Sequence, residues 1–273
     1  MKFKIVFSAA EKKSRHEGAA RFVISRKPKP TRSLVLIHFP ARNMTLSYYN
    51  DQFDLHCGDL VFVEGKLEGF RGHVVDVCYT FKIKLSDYKR VISVADTKVH
   101  GEFHFAGSHF VTFDRSALPY EQVITWFKAP EKEDTEIVSE QDGSGFQLND
   151  LQTMKISDAI AERGHDYYRY RENRVRYISL DKTRVRAIVE GTQPYELECD
   201  YIDGEIRNLV CDCFCTYACK HMFAAMLQLK ETLTFIEKHY PGRFEESRYF
   251  AAVCKETLLN TAMAGRETGS IML

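Results

Sequence analysis

One short stretch decides how the second half of this chain folds, and it reads Val210-Cys211-Asp212-Cys213-Phe214-Cys215-Thr216-Tyr217-Ala218-Cys219-Lys220-His221-Met222. It holds half of the chain's 8 cysteines, with a histidine two positions after the last of them. A free cysteine behaves as a small hydrophobic residue and has no physical reason to cluster. Cysteines and a histidine at such short spacing are typical of a metal site.

The predicted ligands form the pattern C-x-C, a longer gap, then C-x-H. They are Cys211, Cys213, Cys219 and His221. A strand end can supply the first pair, and a helix N-terminus, whose positive partial charge favours thiolates, can supply the second. Three thiolates and an imidazole match the tetrahedral preference of Zn²⁺. Four protein ligands leave no position for water or substrate, so we expect a structural site.

Three alternatives stay open at this stage. Cys215 replaces Cys211 if the first pair is Cys213 with Cys215, although the longer gap lets the chain reverse before Cys219. An iron–sulfur centre also uses thiolates, but the spacing does not match ferredoxin or Rieske patterns. The plainest alternative is a set of reduced, buried cysteines without metal.

Composition sets wide bounds on the protein. A length of 273 residues favours about two domains. Lys+Arg and Asp+Glu both total 38, so net charge neither indicates nor excludes a polyanionic partner. No apolar run approaches the roughly 20 residues of a membrane span, and the N-terminus is too short and polar for a secretory signal. We therefore expect a cytoplasmic protein with reduced thiols and no membrane partner.

Patterning predicts an α+β protein in four segments. Residues 1–128 are expected to form a β-rich small barrel or sandwich, 129–150 an acidic linker, 151–240 a zinc-supported ββα domain, and 241–273 a C-terminal helix and tail. The strands predicted in the first segment are Ser33–Phe39, Leu60–Val63, His73–Val77, Phe81–Leu85, Val91–Val94 and Phe110–Phe113. The elements predicted after the linker are the end of a short helix over Ser157–Arg163, stopped by Gly164, strands Val175–Leu180, Arg184–Glu190 and Tyr195–Tyr201, and helices His221–Phe235 and Arg243–Asn260.

The metal segment and its surroundings resemble the SWIM-type zinc finger over about residues 157–230. Besides C-x-C and C-x-H, the matching motifs are Arg163-Gly164-His165-Asp166-Tyr167, Val189-Glu190-Gly191-Thr192-Gln193-Pro194-Tyr195-Glu196-Leu197 and the Ala-rich start of the last helix, Cys219–Leu227. The resemblance implies a zinc-supported ββα unit that binds DNA or protein. It also implies an association with helicase-like ATPases in bacteria. Cys215 departs from the family pattern and leaves the choice of ligands slightly open.

A second segment, residues 58–77, is similar to the KOW motif of small barrels that contact RNA or ribosomal partners. It reads as a strand, a glycine-rich loop and a strand, with Lys66 and Arg71 placed to meet phosphates. Any hairpin of a small barrel shares these features, so a purely structural hairpin is the alternative.

Basic and aromatic residues are dense between Arg163 and Arg186. Arginine binds phosphates and tyrosine stacks on unpaired bases. The candidate phosphate contacts are Arg169, Arg171, Arg174, Arg176 and Lys220. The alternative is a solvated strand face, because nearby acidic residues dilute the charge.

The sequence lacks the common catalytic motifs, among them the phosphate-binding P-loop, H-E-x-x-H and G-x-S-x-G. We therefore expect a protein that binds Zn²⁺ and nucleic acid, either DNA or RNA, and is not an enzyme. The alternative is a protein-interaction adaptor, and an enzyme with its site in residues 1–128 ranks last.

Overall fold

The computed structural model describes residues 4–6, 32–129, 145–169, 173–215, 217–264 and 270–272. Their strands are β1 Lys4–Val6, β2 Ser33–Phe39, β3 Met44–Asn50, β4 Leu60–Val63, β5 Gly72–Cys78, β6 Val91–Val94, β7 Gly101–Glu102, β8 His104–Ala106, β9 His109–Thr112, β10 Phe146–Gln147, β11 Val175–Asp181, β12 Arg184–Glu190, β13 Pro194–Ile202, β14 Glu205–Cys211, β15 Tyr249–Cys254 and β16 Ser270–Met272. The α-helices are α1 Tyr120–Val123, α2 Asp158–Arg169, α3 Lys220–His239, α4 Pro241–Ser247 and α5 Lys255–Ala264. Short 3₁₀ turns span Pro40–Arg42, Leu85–Asp87, Ile124–Trp126 and Leu151–Thr153. The protein is therefore mixed α and β with a large share of sheet.

The first sheet has five strands in the order β3-β2-β5-β4-β6. Alternate residues of β2 point inward, which places Val35, Ile37 and Phe39 in a common core. A bridge between Tyr49 and Arg90 brings the two edge strands together, so the sheet curls towards a small barrel. This is the β-rich unit that the sequence predicts, although it ends at β6.

Two details of this unit differ from the prediction. The segment Phe81–Leu85 is not a strand, and its last residue begins a 3₁₀ turn. Strand β3 was not predicted because its first four residues are exposed and give no alternating pattern.

The second sheet has eight strands in the order β10-β14-β13-β12-β11-β15-β9-β8. Helix α3 packs on one face, where Ala225 and Leu229 meet Val185 and Leu197 of the sheet. The other face is covered by a second apolar cluster that includes Trp126, and α1 and α5 contribute to it. A sheet covered on both faces explains the long apolar runs of its central strands.

This sheet crosses the predicted segment boundaries at 128 and 240. Strands β8 and β9 come from the first segment, and β15 comes from the predicted C-terminal helix. The prediction of a helix over Arg243–Asn260 is wrong, because the chain forms α4, then β15, then α5. All six residues of β15 are buried between β11 and β9, so its sequence shows no alternation.

The predicted linker, 129–150, falls mostly outside the described residues. Its last part is not a linker, because β10 pairs with β14 at the edge of the large sheet. A third, small sheet has the order β1-β16-β7. No helix within the described ranges is both long and apolar enough to cross a membrane.

Candidate metal centre

The four side chains singled out by the sequence meet at one point, where β14 ends and α3 begins. The thiols of Cys211, Cys213 and Cys219 and the imidazole of His221 place their ligand atoms within 4.8 Å of one another. Cys219 and His221 are buried, and the other two are half-buried. Cys215 is exposed and lies outside the cluster. The arrangement can hold a metal ion.

Two structural elements position these side chains. Cys211 is the last residue of β14 and pairs with Leu197 on β13. Asp212 then fastens the loop to β13, since its amide donates to the Glu196 carbonyl (3.1 Å) and its carboxylate accepts from the Glu196 amide (2.9 Å). Cys219 directly precedes α3, and its carbonyl accepts from the Phe223 amide at 3.1 Å. The end of β14 and the loop after it thus position Cys211 and Cys213, and the start of α3 positions Cys219 and His221.

The spacing of the donor atoms fits a tetrahedral ion. His221 Nδ1 lies 3.7 Å from Cys219 Sγ and 3.9 Å from Cys211 Sγ. Bonds of 2.3 Å to sulfur and 2.0–2.1 Å to nitrogen imply sulfur–nitrogen edges of about 3.6 Å and sulfur–sulfur edges of about 3.8 Å. The two measured sulfur–nitrogen distances therefore match a tetrahedral ion, and every other pair of donor atoms lies within 4.8 Å.

The close approach of the three thiols shifts their pKa values in opposite directions. A hydrogen bond from Cys211 lowers the pKa of Cys219 to about 4, although burial alone would raise it. Hydrogen bonds from the His221 imidazole and the Met222 amide lower this pKa further. The hydrogen bond to Cys219, together with burial, raises the pKa of Cys211 well above its usual range. Burial raises the pKa of Cys213 to about 11. Three crowded sulfur atoms cannot all be anionic without a cation between them.

Aromatic rings and a glycine enclose the imidazole. The Tyr195 ring stacks on His221 with centroids 4.3 Å apart, and Tyr167 lies against it at 5.5 Å. A Cβ at Gly191 would lie 2.7 Å from the Tyr195 ring and 3.2 Å from His221 Nε2, so only glycine fits there without displacement. Nε2 itself is buried with no hydrogen-bond partner among the described residues.

A second glycine lets α2 approach the site. A Cβ at Gly164 would lie 2.6 Å from the Phe223 ring and 3.1 Å from the Lys220 carbonyl. Helix α2 therefore packs directly on the first turn of α3, the turn that carries His221. The glycines and tyrosines of the motifs resembling the SWIM finger thus all lie around the cluster.

The predicted phosphate contacts have different environments. Arg169 is exposed, and Arg171 lies outside the described residues. The Arg174 guanidinium lies over the Tyr167 ring at 4.8 Å, and the Lys220 ammonium lies over the same ring at 4.5 Å. Tyr167 thus gathers two cations beside the metal cluster.

Arg176 is not available as a phosphate contact. Its side chain is only 12% exposed and pairs with Glu190 and Glu256. Strand β11 has an irregularity between Val175 and Tyr177, and the pairing with Glu256 places Arg176 on the side of α5, whereas Val175 is buried in the core under α3. Its role is to join β11 to β12 and α5.

The segment resembling the KOW motif forms the predicted strand, loop and strand. Gly65 and Gly69 occupy the left-handed region in the loop between β4 and β5, with φ of 96° and 83°. The Arg71 guanidinium donates to the Trp126 carbonyl at 3.1 Å, so it contacts the rest of the fold. Lys66 is exposed.

Sequence reasoning missed two aromatic residues of the metal loop. Phe214 is 96% exposed and Tyr217 is 84% exposed. Their place in the sequence could have predicted this exposure, because a short loop between metal ligands has no core in which to bury large rings.

Comparison of the sequence and structure with protein-family models, curated proteins and solved structures gives no match.

Proposed function

We propose that this chain binds one Zn²⁺ through Cys211, Cys213, Cys219 and His221, and that the unit braced by the ion binds DNA or RNA. The observation that carries the proposal is the convergence of three thiols and one imidazole within 4.8 Å at the junction of β14 and α3.

The donor set supports zinc over other metals. Thiolate with imidazole suits Zn²⁺, whereas Mg²⁺ and Ca²⁺ take oxygen ligands. Four protein donors fill a tetrahedron, so the ion would act as a structural brace and leave no position for a reacting water. We accordingly propose a binding role without catalysis.

The resemblance to the SWIM finger supports the same function. The residues that carry it, Gly164, Tyr167, Gly191 and Tyr195, all pack on α3 or on His221. Their packing supports the zinc-braced unit that the resemblance implies, which is the first half of the proposed function.

The nucleic-acid part of the proposal rests on the charge beside the cluster. Arg174 and Lys220 converge on one aromatic ring, Arg169 is exposed at the end of the adjacent helix, and the N-terminus of α3 adds positive partial charge. Arginine and lysine side chains in such a group are suited to phosphate oxygens.

Metal analysis tests the first half of the proposal. Purified chain should contain about one equivalent of zinc, and Cys219→Ser and His221→Ala should each lose most of it because each removes a ligand. Cys215→Ser is the matched control, since Cys215 lies in the same loop but outside the cluster. A folded, metal-free wild-type protein would remove the basis of the proposal.

A salt titration tests the second half. Binding to phosphates releases counterions, so the association constant for DNA or RNA should fall steeply as salt rises. The rival function is a protein-interaction adaptor, for example for a helicase-like ATPase, which the exposed rings of Phe214 and Tyr217 favour. Binding through an apolar surface should change little with salt, and the absence of oligonucleotide binding at low salt would favour the adaptor.

A further inference from the structure

Two rings stand out on the surface of this protein. Phe214 and Tyr217 are 96% and 84% exposed, while the most exposed large hydrophobic residue elsewhere in the described chain, Met263, reaches 64%. Exposed apolar side chains that form a patch mark interaction sites.

The loop that carries these rings is held at both ends. Phe214 directly follows the ligand Cys213, and Tyr217 is separated by one residue from the ligand Cys219. Before them, Asp212 is fastened to β13 by two hydrogen bonds with Glu196. A ring on an anchored loop loses little conformational entropy on binding, which favours affinity.

Cations that can meet phosphates lie where the loop ends and α3 begins. Lys220 begins α3 just after the loop, and Arg174 shares the Tyr167 ring with it. The acidic residue of the loop, Asp212, shares the ammonium group of Lys128 with Glu196. Cations beside exposed rings are the combination by which proteins hold single strands, with the backbone on the cations and the bases stacked on the rings.

We propose that Phe214 and Tyr217 stack on unpaired bases of single-stranded DNA or RNA, an inference that rests on the nucleic-acid-binding function proposed above. A duplex offers no free base faces except at its ends, so the same rings would contribute little to binding double-stranded DNA. The proposal therefore specifies the class of nucleic acid: a single strand, bound without strong dependence on its sequence.

The proposal is tested by measuring the affinity of the zinc-loaded full chain for single-stranded and for duplex DNA. The probes are a labelled oligothymidylate of about 16 nucleotides, within the range that single-strand sites span, and a duplex of equal length, both at low salt. Phe214→Leu and Tyr217→Leu each keep an apolar side chain but remove the ring, and each should weaken single-strand binding by about 5- to 100-fold. Duplex binding should hardly change.

Two further variants sharpen the test. Phe214→Trp keeps a stacking ring, so it should retain affinity, and the introduced indole should be quenched by the oligonucleotide while the chain's own Trp126 is fully buried. Phe105→Leu removes a ring that is 49% exposed but lies on β8, away from the metal loop in sequence, and should leave affinity unchanged.

The outcomes separate this inference from the function on which it rests. If wild type binds single strand and duplex equally and both leucine variants match it, the stacking proposal is overturned while nucleic-acid binding stands. If neither probe binds at low salt, the nucleic-acid-binding function and the stacking proposal are both overturned. Retained binding of a protein partner by Phe214→Leu would then assign the loop to a protein interface.

Discussion

The ring of Tyr195 lies stacked on the imidazole of His221, with centroids 4.3 Å apart and planes 26° from parallel. The stacking joins the β12–β13 hairpin to the first turn of α3. It fixes the plane of the imidazole and so directs Nδ1 towards Cys211 and Cys219, 3.9 and 3.7 Å away. Changing a group that orients a metal ligand typically lowers metal affinity by about 10- to 100-fold.

Gly191→Ala should disturb this relationship. The added Cβ would lie 2.7 Å from the Tyr195 ring and 3.2 Å from His221 Nε2, so one ring must move. We expect zinc affinity to fall by about 10- to 100-fold and the free energy of unfolding to fall by about 1–3 kcal/mol. Competition with a chromophoric chelator measures the first quantity and urea unfolding the second.

Gly242→Ala is the matched control for that variant. Gly242 lies in α4, and a Cβ there would meet nothing within 4 Å. The alanine should leave zinc affinity unchanged and stabilise the protein slightly, because it favours helix. Equal zinc affinity in both variants would mean that the hairpin does not position the imidazole.

Arg174 and Arg176 are expected to respond differently to substitution although they are two positions apart. Arg174→Gln removes a cation beside the cluster, so the slope of log K against log salt for nucleic acid should decrease by about 1. Arg176→Gln removes the partner of Glu190 and Glu256 and should lower stability by about 2 kcal/mol with the slope unchanged. A reduced slope in the second variant would contradict its structural role.

The metal cluster could be predicted from the sequence because its four ligands lie close together along the chain. Ligands at C-x-C and C-x-H are held within reach by the covalent chain itself, and the structure brings those four together. Strands such as Ser33–Phe39 and Leu60–Val63 coincide with their predicted bounds because turn residues flank them and their apolar residues are dense.

Other features were hidden because they depend on distant parts of the chain. Nothing in Tyr249–Cys254 itself says that it will lie between β11 and β9, and its apolar run suits a buried helix as well as a buried strand. For β14 the sequence predicted only a strand end before Cys211, without bounds, because the exposed Arg207 and Asn208 interrupt its apolar pattern. Its pairing with β13 is nevertheless what places Cys211 at the site.

The shared sheet predicts how fragments of this protein will behave. Residues 145–240 contain the whole metal segment but lack β15, so β11 would lose one of its two neighbours and expose Tyr177, Ile178 and Leu180. We expect this fragment to aggregate or remain unfolded even with zinc. Residues 101–272, which hold all eight strands, should unfold cooperatively.

Circular dichroism and thermal melting with zinc present compare the folding of the two fragments, residues 145–240 and 101–272. A cooperative transition in the shorter fragment would show that the metal unit is an independent domain, as the sequence alone suggested.

His109 should make the protein sensitive to mild acid. It is fully buried in β9, where Nε2 donates to the Val175 carbonyl (2.8 Å) and Nδ1 accepts from the Ser108 hydroxyl (2.9 Å). Burial lowers its pKa to about 4, and the charges of Lys255 and Arg176 act in the same direction. The folded protein therefore holds a neutral imidazole where the unfolded chain, with a pKa near 6.5, takes up a proton.

The direction of the effect follows from proton counting. Between about pH 6.5 and pH 4 the unfolded state binds more protons, so stability falls as the pH falls through this window. At about pH 5 the loss from this residue is about 2 kcal/mol relative to neutral pH. His109→Gln keeps a neutral side chain that can donate, and it should remove that loss.

Urea unfolding of wild type and His109→Gln gives the difference between their free energies of unfolding. The effect of His109 is the change in this difference between about pH 7.5 and about pH 5. Zinc release in acid and any fixed packing penalty of glutamine affect both arms of the comparison and largely cancel. If the stability gap between the two proteins is the same at both pH values, the imidazole is not held neutral in the folded state, and the buried hydrogen bonds assigned to it are incorrect.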